Sequence, residues 1–252
     1  KTNNLLIHET MKHSKAIVII FFSVFSIAVL SQKNPSITIE KNYNNWKWDS
    51  VFVAKNKYIS VAVVPEAAGR ILEYNLGNVP SLWVNPKLFG KSFAPSDMVK
   101  QFEWRNFGGY RLVPIPINNC AIDINRNKTK RWPPPAIIGD SPYFVEINTN
   151  DNGIETIDVS SGVQNLPVPL YDGKSKMFSI PSTIDEQLKY KRSLFINEGS
   201  SLVFIKHTLT NVGTKTIKRG IMLSSQHVSR SKPELEDGEN FVAYIPFNEN
   251  YK

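Results

Sequence analysis

A pair of adjacent glycines, Gly108 and Gly109, is surrounded in the sequence by aromatic, basic and acidic side chains. The side chains concerned are Glu103, Trp104, Arg105, Asn106, Arg111 and Trp132. The face of an indole ring packs well against the apolar C–H face of a sugar. Guanidinium, amide and carboxylate groups form directional hydrogen bonds with sugar hydroxyls. Residues of these types at this spacing therefore predict a carbohydrate-binding face.

The glycine pair has a second interpretation that concerns only the backbone. Glycine adopts dihedral angles that other residues avoid, and it lets another strand approach the main chain closely. Pro114 and Pro116 follow the pair, and such a sequence is also typical of a tight loop at the edge of a sheet. In that case Trp104 and Trp132 would cover the core beneath the loop. From composition alone both interpretations stay open.

The segments that must position these residues are predicted to be β-strands. Residues 58–64 are rich in β-branched side chains, and a turn connects them to a second strand at residues 70–76. Residues 143–147 and 154–159 flank a segment of turn-forming residues, which predicts a hairpin.

Further strands are predicted towards the C-terminus. Residues 188–196, 201–210 and 215–225 are separated by two short turns that each contain glycine, and this pattern predicts a three-stranded antiparallel meander. The region after residue 31 shows no sustained period of 3.6 residues, and 16 prolines with 13 glycines disfavour long helices. We therefore expect an all-β fold, a sandwich of antiparallel sheets.

The first 31 residues are predicted to be separate from the folded domain. A short basic segment at 11–15 precedes an apolar run at 16–30, which is shorter than the roughly 20 residues of a membrane-spanning helix. This pattern is typical of a secretory signal peptide cleaved before Gln32, with an uncleaved N-terminal anchor as the alternative. We expect a secreted or periplasmic protein with one domain at 32–252 and no stable membrane span after cleavage.

Composition narrows the classes of partner and cofactor. The formal net charge is +8, but the basic residues are spread along the chain, and we find no sequence signature of nucleic-acid binding. Cys120 is the only cysteine, so no intramolecular disulfide can form, and we expect it to be a small buried side chain. No metal motif or cofactor fingerprint occurs, so no cofactor is predicted.

Three short motifs resemble the galactose mutarotase-like superfamily, the relatives of aldose 1-epimerases. They lie at residues 69–74, at residues 106–111 and at residues 132–134, and they are most similar to an uncharacterised branch of that superfamily. The resemblance implies a β-supersandwich of antiparallel sheets with a sugar cleft on one concave face. It places Arg70 on a family strand and in the substrate site.

The resemblance also implies an acid and a base for ring opening of a sugar. His227 matches the family's catalytic histidine, because it follows an apolar strand, whereas His207 lies within a strand and is interpreted as a substrate-site or structural residue. The family's aromatic pair after that histidine is replaced here by Val228, Ser229 and Arg230. The family's glutamate base lies on a later strand, and we expect this chain to be truncated before it, after a strand at 241–247.

Three functions remain open at this stage. The first is an exported protein that binds a mono- or oligosaccharide at an open face that includes His227. The second is an aldose 1-epimerase-like isomerase that uses His227 as its acid and a glutamate missing from this fragment as its base. The third is a structural protein of the cell envelope.

Overall fold

In the computed structural model, which describes residues 35–95, 105–128, 134–179 and 184–228, most secondary structure is β-strand. The two large sheets are antiparallel. The all-β fold predicted from the sequence is therefore confirmed. The leader predicted at residues 1–31 and the strand predicted at 241–247 lie outside the described residues.

The first sheet has seven strands within the described residues. They are β1 (Ser36–Glu40), β2 (Val51–Lys55), β3 (Ile59–Val64), β4 (Arg70–Leu76), β5 (Val79–Pro80), β6 (Tyr110–Ile115) and β16 (Gly220–Ser225). The order across the sheet is β1, β2, β3, β4, β6 and β16, and the short strand β5 also pairs with β4.

The second sheet has five strands within the same part of the chain. They are β8 (Phe144–Thr149), β9 (Glu155–Ser160), β10 (Gln164–Leu166), β14 (Glu186–Ile196) and β15 (Val203–Asn211). β14 is central: β9 and β10 share one of its edges and β15 lies along the other. The predicted hairpin is confirmed as β8 and β9.

Short elements lie between the strands of the two sheets. Two small strand pairs are formed by β7 (Ala121–Ile122) with β11 (Val168–Pro169) and by β12 (Tyr171–Asp172) with β13 (Met177–Phe178). Single turns of 3₁₀ helix occur at Tyr43–Asn45, Pro65–Ala67, Pro86–Leu88 and Ile117–Asn119, and one turn of α-helix at Ala136–Gly139.

The first sheet is covered by side chains on both faces. All six residues of β3 are buried, as expected for a continuous apolar run with a core on either side. One apolar cluster joins β3 to β9 and β14 and includes Val61, Val63 and Ile157. A second cluster covers the opposite face and includes Trp46 and Trp48.

A third apolar cluster closes one end of the space between the sheets. It contains Ile138, Leu166, Leu188, Tyr190 and Cys120, and Cys120 is fully buried, as predicted. Burial alternates along β14 and β15, so one face of the second sheet packs on the core and the other meets solvent.

The predicted three-stranded meander is wrong in its third strand. β14 and β15 pair as expected, but β16 crosses to the first sheet and pairs with β6. Arg219, just before β16, contacts both sheets at this crossing: its guanidinium donates to Glu186 of β14 at 2.5 Å, to the carbonyl of Pro116 at 2.5 Å and to that of Asn119 at 3.3 Å. The two carbonyl contacts hold the start of β16 beside the end of β6.

Candidate functional site

The glycine pair lies where three segments of main chain meet. Gly108 and Gly109 have φ angles of +84° and +66°. The N–H of Gly109 donates to the carbonyl of Trp83 at 2.8 Å, and its own carbonyl accepts from the N–H of Gln226 at 3.0 Å. A β-carbon on Gly108 would lie 2.2 Å from the Trp83 carbonyl oxygen, and one on Gly109 would lie 2.3 Å from that of Ile71. The backbone interpretation therefore explains both glycines.

Asn106 shapes the loop that leads into the glycine pair. Its side-chain oxygen accepts from the N–H of Gly108 at 3.1 Å, and its carbonyl accepts from the side-chain amide of Asn85 at 2.9 Å. It is half-buried. Three other predicted site residues, Glu103, Trp104 and Trp132, lie outside the described residues.

Arg70 is buried at the start of β4, with 1% of its surface exposed. Its guanidinium donates to the carbonyl of Gly108 at 3.1 Å and to that of Gly139 at 2.7 Å. The same group lies 3.4 Å from a carboxylate oxygen of Asp140 and 5.4 Å from the ring centroid of Phe107. Arg70 thus joins the glycine loop to the helical turn Ala136–Gly139.

Arg105 and Arg111 are buried close to the same carboxylate. Arg111 packs on Gly139, whose added β-carbon would lie 3.1 Å from the guanidinium, and Arg105 stacks 3.9 Å from the ring centroid of Phe93. Burial raises the pKa of Asp140 to about 6, although the charges of Arg70, Arg111 and Arg105 act in the opposite direction. Asp140 is therefore ionised at neutral pH.

Arg192 is a fourth buried arginine, which sequence reasoning missed. It donates to the carbonyls of Ala68 and Gly69 and is 5% exposed. The sequence of β14 contains an indication of this buried arginine. The other buried positions of the strand are apolar or aromatic residues. We refer to the four arginines and the one carboxylate as the arginine cluster, which consists of Arg70, Arg105, Arg111, Arg192 and Asp140.

His207 contacts the first sheet from the second. It is the cross-strand neighbour of Arg192, and its Nε2 lies 2.7 Å from the hydroxyl of Tyr110. Burial, together with the charge of Arg192, lowers the pKa of His207 to about 4. The imidazole is therefore neutral at pH 7, and its role in the described structure is a bridge between the sheets.

Replacing His207 by glutamine should make the protein less sensitive to acid. The pKa of His207 lies below its ordinary value of 6.5, so its contribution to stability is present above about pH 6.5 and is lost as the pH falls towards 4. We expect a loss of about 1–2 kcal/mol across that range, after allowance for solvent screening of this half-buried group.

Urea unfolding at a series of pH values measures this loss, and His207→Gln should remove it. The exposed neighbour Thr208 lies on the other face of β15, so Thr208→Ala is the matched control and should keep the wild-type profile. Equal acid sensitivity in wild type and His207→Gln would show that His207 does not titrate in this way.

His227 lies at the end of β16 and is exposed. It forms a bridge with Leu82, and its two ring nitrogens lie 3.1 Å from the hydroxyl of Ser81 and 2.8 Å from that of Ser225. The position at a strand end agrees with the sequence expectation. A catalytic role for His227 stays a prediction.

The predicted site residues do not line one open face within the described part of the chain. Arg70, Arg105 and Arg111 come together, but they are buried, since backbone carbonyls, Asp140 and aromatic rings surround them. His227 is exposed and His207 bridges the two sheets. The three arginines are therefore buried where an open face was expected, and a role of the predicted residues in binding a sugar stays a prediction.

An open polar groove lies elsewhere on the first sheet, and sequence reasoning did not identify it. It encloses about 340 Å³, and its lining includes Tyr43, Asn44, Lys55, Ser60, Glu73 and Asn75. Glu73 is 4% exposed and accepts hydrogen bonds from Tyr43 at 2.7 Å, Asn44 at 2.7 Å and Ser60 at 2.6 Å. Burial and the bond to Glu73 raise the pKa of Tyr43 above its usual value. This groove is an accessible candidate site in the described structure.

In the described ranges, no group of three or more histidine, cysteine, aspartate or glutamate side chains lies close enough together to hold a metal ion. In the same ranges, no helix has the length and hydropathy needed to cross a membrane.

Comparison with known proteins adds no assignment. Neither the protein-family models nor the curated proteins that were searched match this chain.

Proposed function

We propose that this protein binds a carbohydrate without chemical turnover and that the groove beside β4 holds the sugar. The observation that carries the proposal is the groove itself, with about 340 Å³ of open space above a buried carboxylate. Ligand pockets for small molecules typically have volumes of roughly 300–1,000 Å³. The groove is therefore large enough for a monosaccharide.

The groups that line the groove suit sugar hydroxyls. Glu73 orients Tyr43, Asn44 and Ser60 through the three hydrogen bonds that it accepts from them. Asn44, Ser60 and Asn75 carry amide and hydroxyl groups that donate and accept. The ring of Tyr43 adds an aromatic face of the kind that packs on sugar C–H groups. Such a mixture of directional polar groups and an aromatic ring favours a polyhydroxylated ligand over an apolar one.

Two lysines at the groove add acidic sugars to the candidate ligands. Lys55 and Lys57 line the groove and are exposed. Their ammonium groups would attract a carboxylate on the ligand, so hexuronic acids belong in the test together with neutral hexoses.

The sequence resemblance supports the same class of ligand. Glu73 belongs to the motif at residues 69–74, which resembles the galactose mutarotase-like superfamily, whose members bind sugars on a β-sandwich face. We include in the proposal that the protein is a distant member of that superfamily and that it is exported.

Glu73→Gln tests the site directly. The variant keeps the size of the side chain but removes the charge that orients Tyr43, Asn44 and Ser60 in the groove. A hydrogen bond to a charged group is typically worth about 1.5–3 kcal/mol. Binding of D-glucose, D-galactose and D-glucuronate is measured by ligand-observed NMR and calorimetry. We expect at least one of them to bind, and Glu73→Gln to weaken its binding by about tenfold or more.

The controls separate three explanations. Glu155→Gln changes an exposed carboxylate on the second sheet and should leave binding unchanged. If Trp104→Ala abolishes binding while Glu73→Gln does not, the sugar binds at the face predicted from sequence and not in the groove. The absence of saturable binding for all three sugars would contradict the proposal.

A mutarotation assay separates binding from turnover. Under the proposal, the protein leaves the interconversion of glucose and galactose anomers at the rate seen in buffer. Acceleration that disappears in His227→Ala would instead support the epimerase-like alternative.

A further inference from the structure

A small cavity lies between the two sheets, beside the arginine cluster. It has a volume of about 10 Å³, and its lining includes Arg70, Arg111, Arg192, Tyr143 and Tyr190. A cavity needs a volume of roughly 10–15 Å³ to hold one water molecule. The space therefore suits a single particle about the size of water or a small ion.

Positive charge dominates the lining. Arg70, Arg111 and Arg192 are between 1% and 6% exposed. In the described part of the chain, Asp140 is the carboxylate whose charge acts on Arg70 and Arg111, and none acts on Arg192. A buried charge without a counter-charge is costly, because it loses its hydration without gaining a partner. Within the described residues, Arg192 is thus a buried cation on which no carboxylate acts.

Two donors at the cavity are also unsatisfied. Among the described residues, neither the hydroxyl of Tyr190, a residue that is 2% exposed, nor Nε of Arg70 has a hydrogen-bond partner. A buried donor without a partner costs about 1–3 kcal/mol. Native structures rarely leave such groups unpaired, and an unseen ion or water is a common explanation.

We infer that the cavity binds a small monovalent inorganic anion of about the size of chloride. The anion accepts hydrogen bonds from both sheets. Arg70 starts β4 in the first sheet, and Tyr190 and Arg192 belong to β14 in the second. It balances part of the guanidinium charge inside the sandwich. Its binding therefore stabilises the packing of one sheet on the other. This site is distinct from the proposed sugar groove.

Thermal unfolding with chloride tests the inference. The melting temperature is measured in sodium chloride and in sodium gluconate at equal ionic strength, because gluconate is too large for the cavity. We expect a rise in melting temperature that saturates with chloride concentration, as for a ligand that binds only the folded state. Equal melting temperatures in the two salts would overturn the inference.

Tyr190→Phe removes one donor and keeps the ring. The chloride concentration that gives half of the maximal rise in melting temperature should increase about tenfold or more, since a hydrogen bond to an ion is lost. Tyr58→Phe, at a tyrosine that is 42% exposed, is the control and should leave that concentration unchanged. An unchanged midpoint in Tyr190→Phe would contradict the assignment of this cavity.

Bromide provides a test that needs no variant. Crystals of the wild-type protein soaked in sodium bromide should give an anomalous peak within hydrogen-bond distance of Arg70, Arg192 and Tyr190. If Tyr190→Phe does not fold, this experiment decides the matter alone, and a difference map without that peak refutes the inference.

Discussion

Replacing Asp140 by alanine is expected to lower the free energy of unfolding by about 3–5 kcal/mol, the usual cost of removing one partner from a buried ion pair. Asp140 is 2% exposed and lies 3.4 Å from the guanidinium of Arg70. Its removal leaves buried positive charge with less compensation. Urea unfolding at pH 7.5, where Asp140 is ionised, measures the loss.

An exposed ion pair provides the matched control. Asp49 lies 3.0 Å from Lys41, and its side chain is 80% exposed. Asp49→Ala should cost less than about 1 kcal/mol, because water and salt screen such pairs. If Asp140→Ala costs no more than Asp49→Ala, the charge of Asp140 does not support the arginine cluster.

A double variant distinguishes charge from packing. Arg70→Met combined with Asp140→Leu removes both charges and fills part of the space with apolar atoms, an exchange that is often neutral or stabilising for buried pairs. We expect the double variant to be more stable than Asp140→Ala. A double variant that is even less stable would assign the loss to the hydrogen bonds that Arg70 makes with Gly108 and Gly139.

Gly109→Ala is expected to destabilise the fold by about 4 kcal/mol or more, among the largest effects seen for one substitution. The new β-carbon would lie 2.3 Å from the carbonyl oxygen of Ile71 and 2.7 Å from a methyl carbon of Leu72. Backbone atoms cannot rotate away as a flexible side chain can. The contact between β4 and the start of β6 must therefore open. Denaturant unfolding measures the resulting loss in the free energy of unfolding.

Gly77→Ala controls for backbone conformation alone. Gly77 also has a positive φ, +57°, but no atom of the described residues lies within 4 Å of an added β-carbon. The substitution should cost about 1–2 kcal/mol, which is the penalty for an L-residue in the left-handed region. Equal losses at Gly77 and Gly109 would show that close approach of the chains is not what requires Gly109.

The strands were predictable where the pattern is local. Residues 70–76 coincide with β4, and the hairpin of β8 and β9 follows from its alternation and its turn-forming residues. The partner of β16 was not predictable from local pattern, because β6 and the carbonyls that Arg219 contacts beside it lie about 100 positions earlier in the chain.

At the candidate site, the types of the residues were predictable from the sequence, but their burial was not. Sequence reasoning selected Arg70, Arg105 and Arg111 by chemistry, but an arginine may lie at the surface or be buried, and composition does not distinguish the two. The burial of Arg70 depends on the carbonyls of Gly108 and Gly139 and on Asp140, which belong to other segments of the chain.

Glu73 was missed for a different reason. The register of β3 and β4 shifts between Ala62 and Val63, so Leu72 becomes the extra residue of a bulge. After that point, Glu73 lies on the face with Ser60, and the groove forms around it. A bulge changes which residues share a face, and sequence alternation alone does not locate it.

The arginine cluster also divides the interior of the sandwich. One apolar cluster, with Val61 and Ile157, lies on one side of it, and the cluster with Leu166 and Leu188 lies on the other. Because the two apolar clusters are separate, a substitution in one of them should repack that cluster with little effect on the other. The charged positions between them tolerate far less exchange, because removing one partner leaves a buried charge uncompensated.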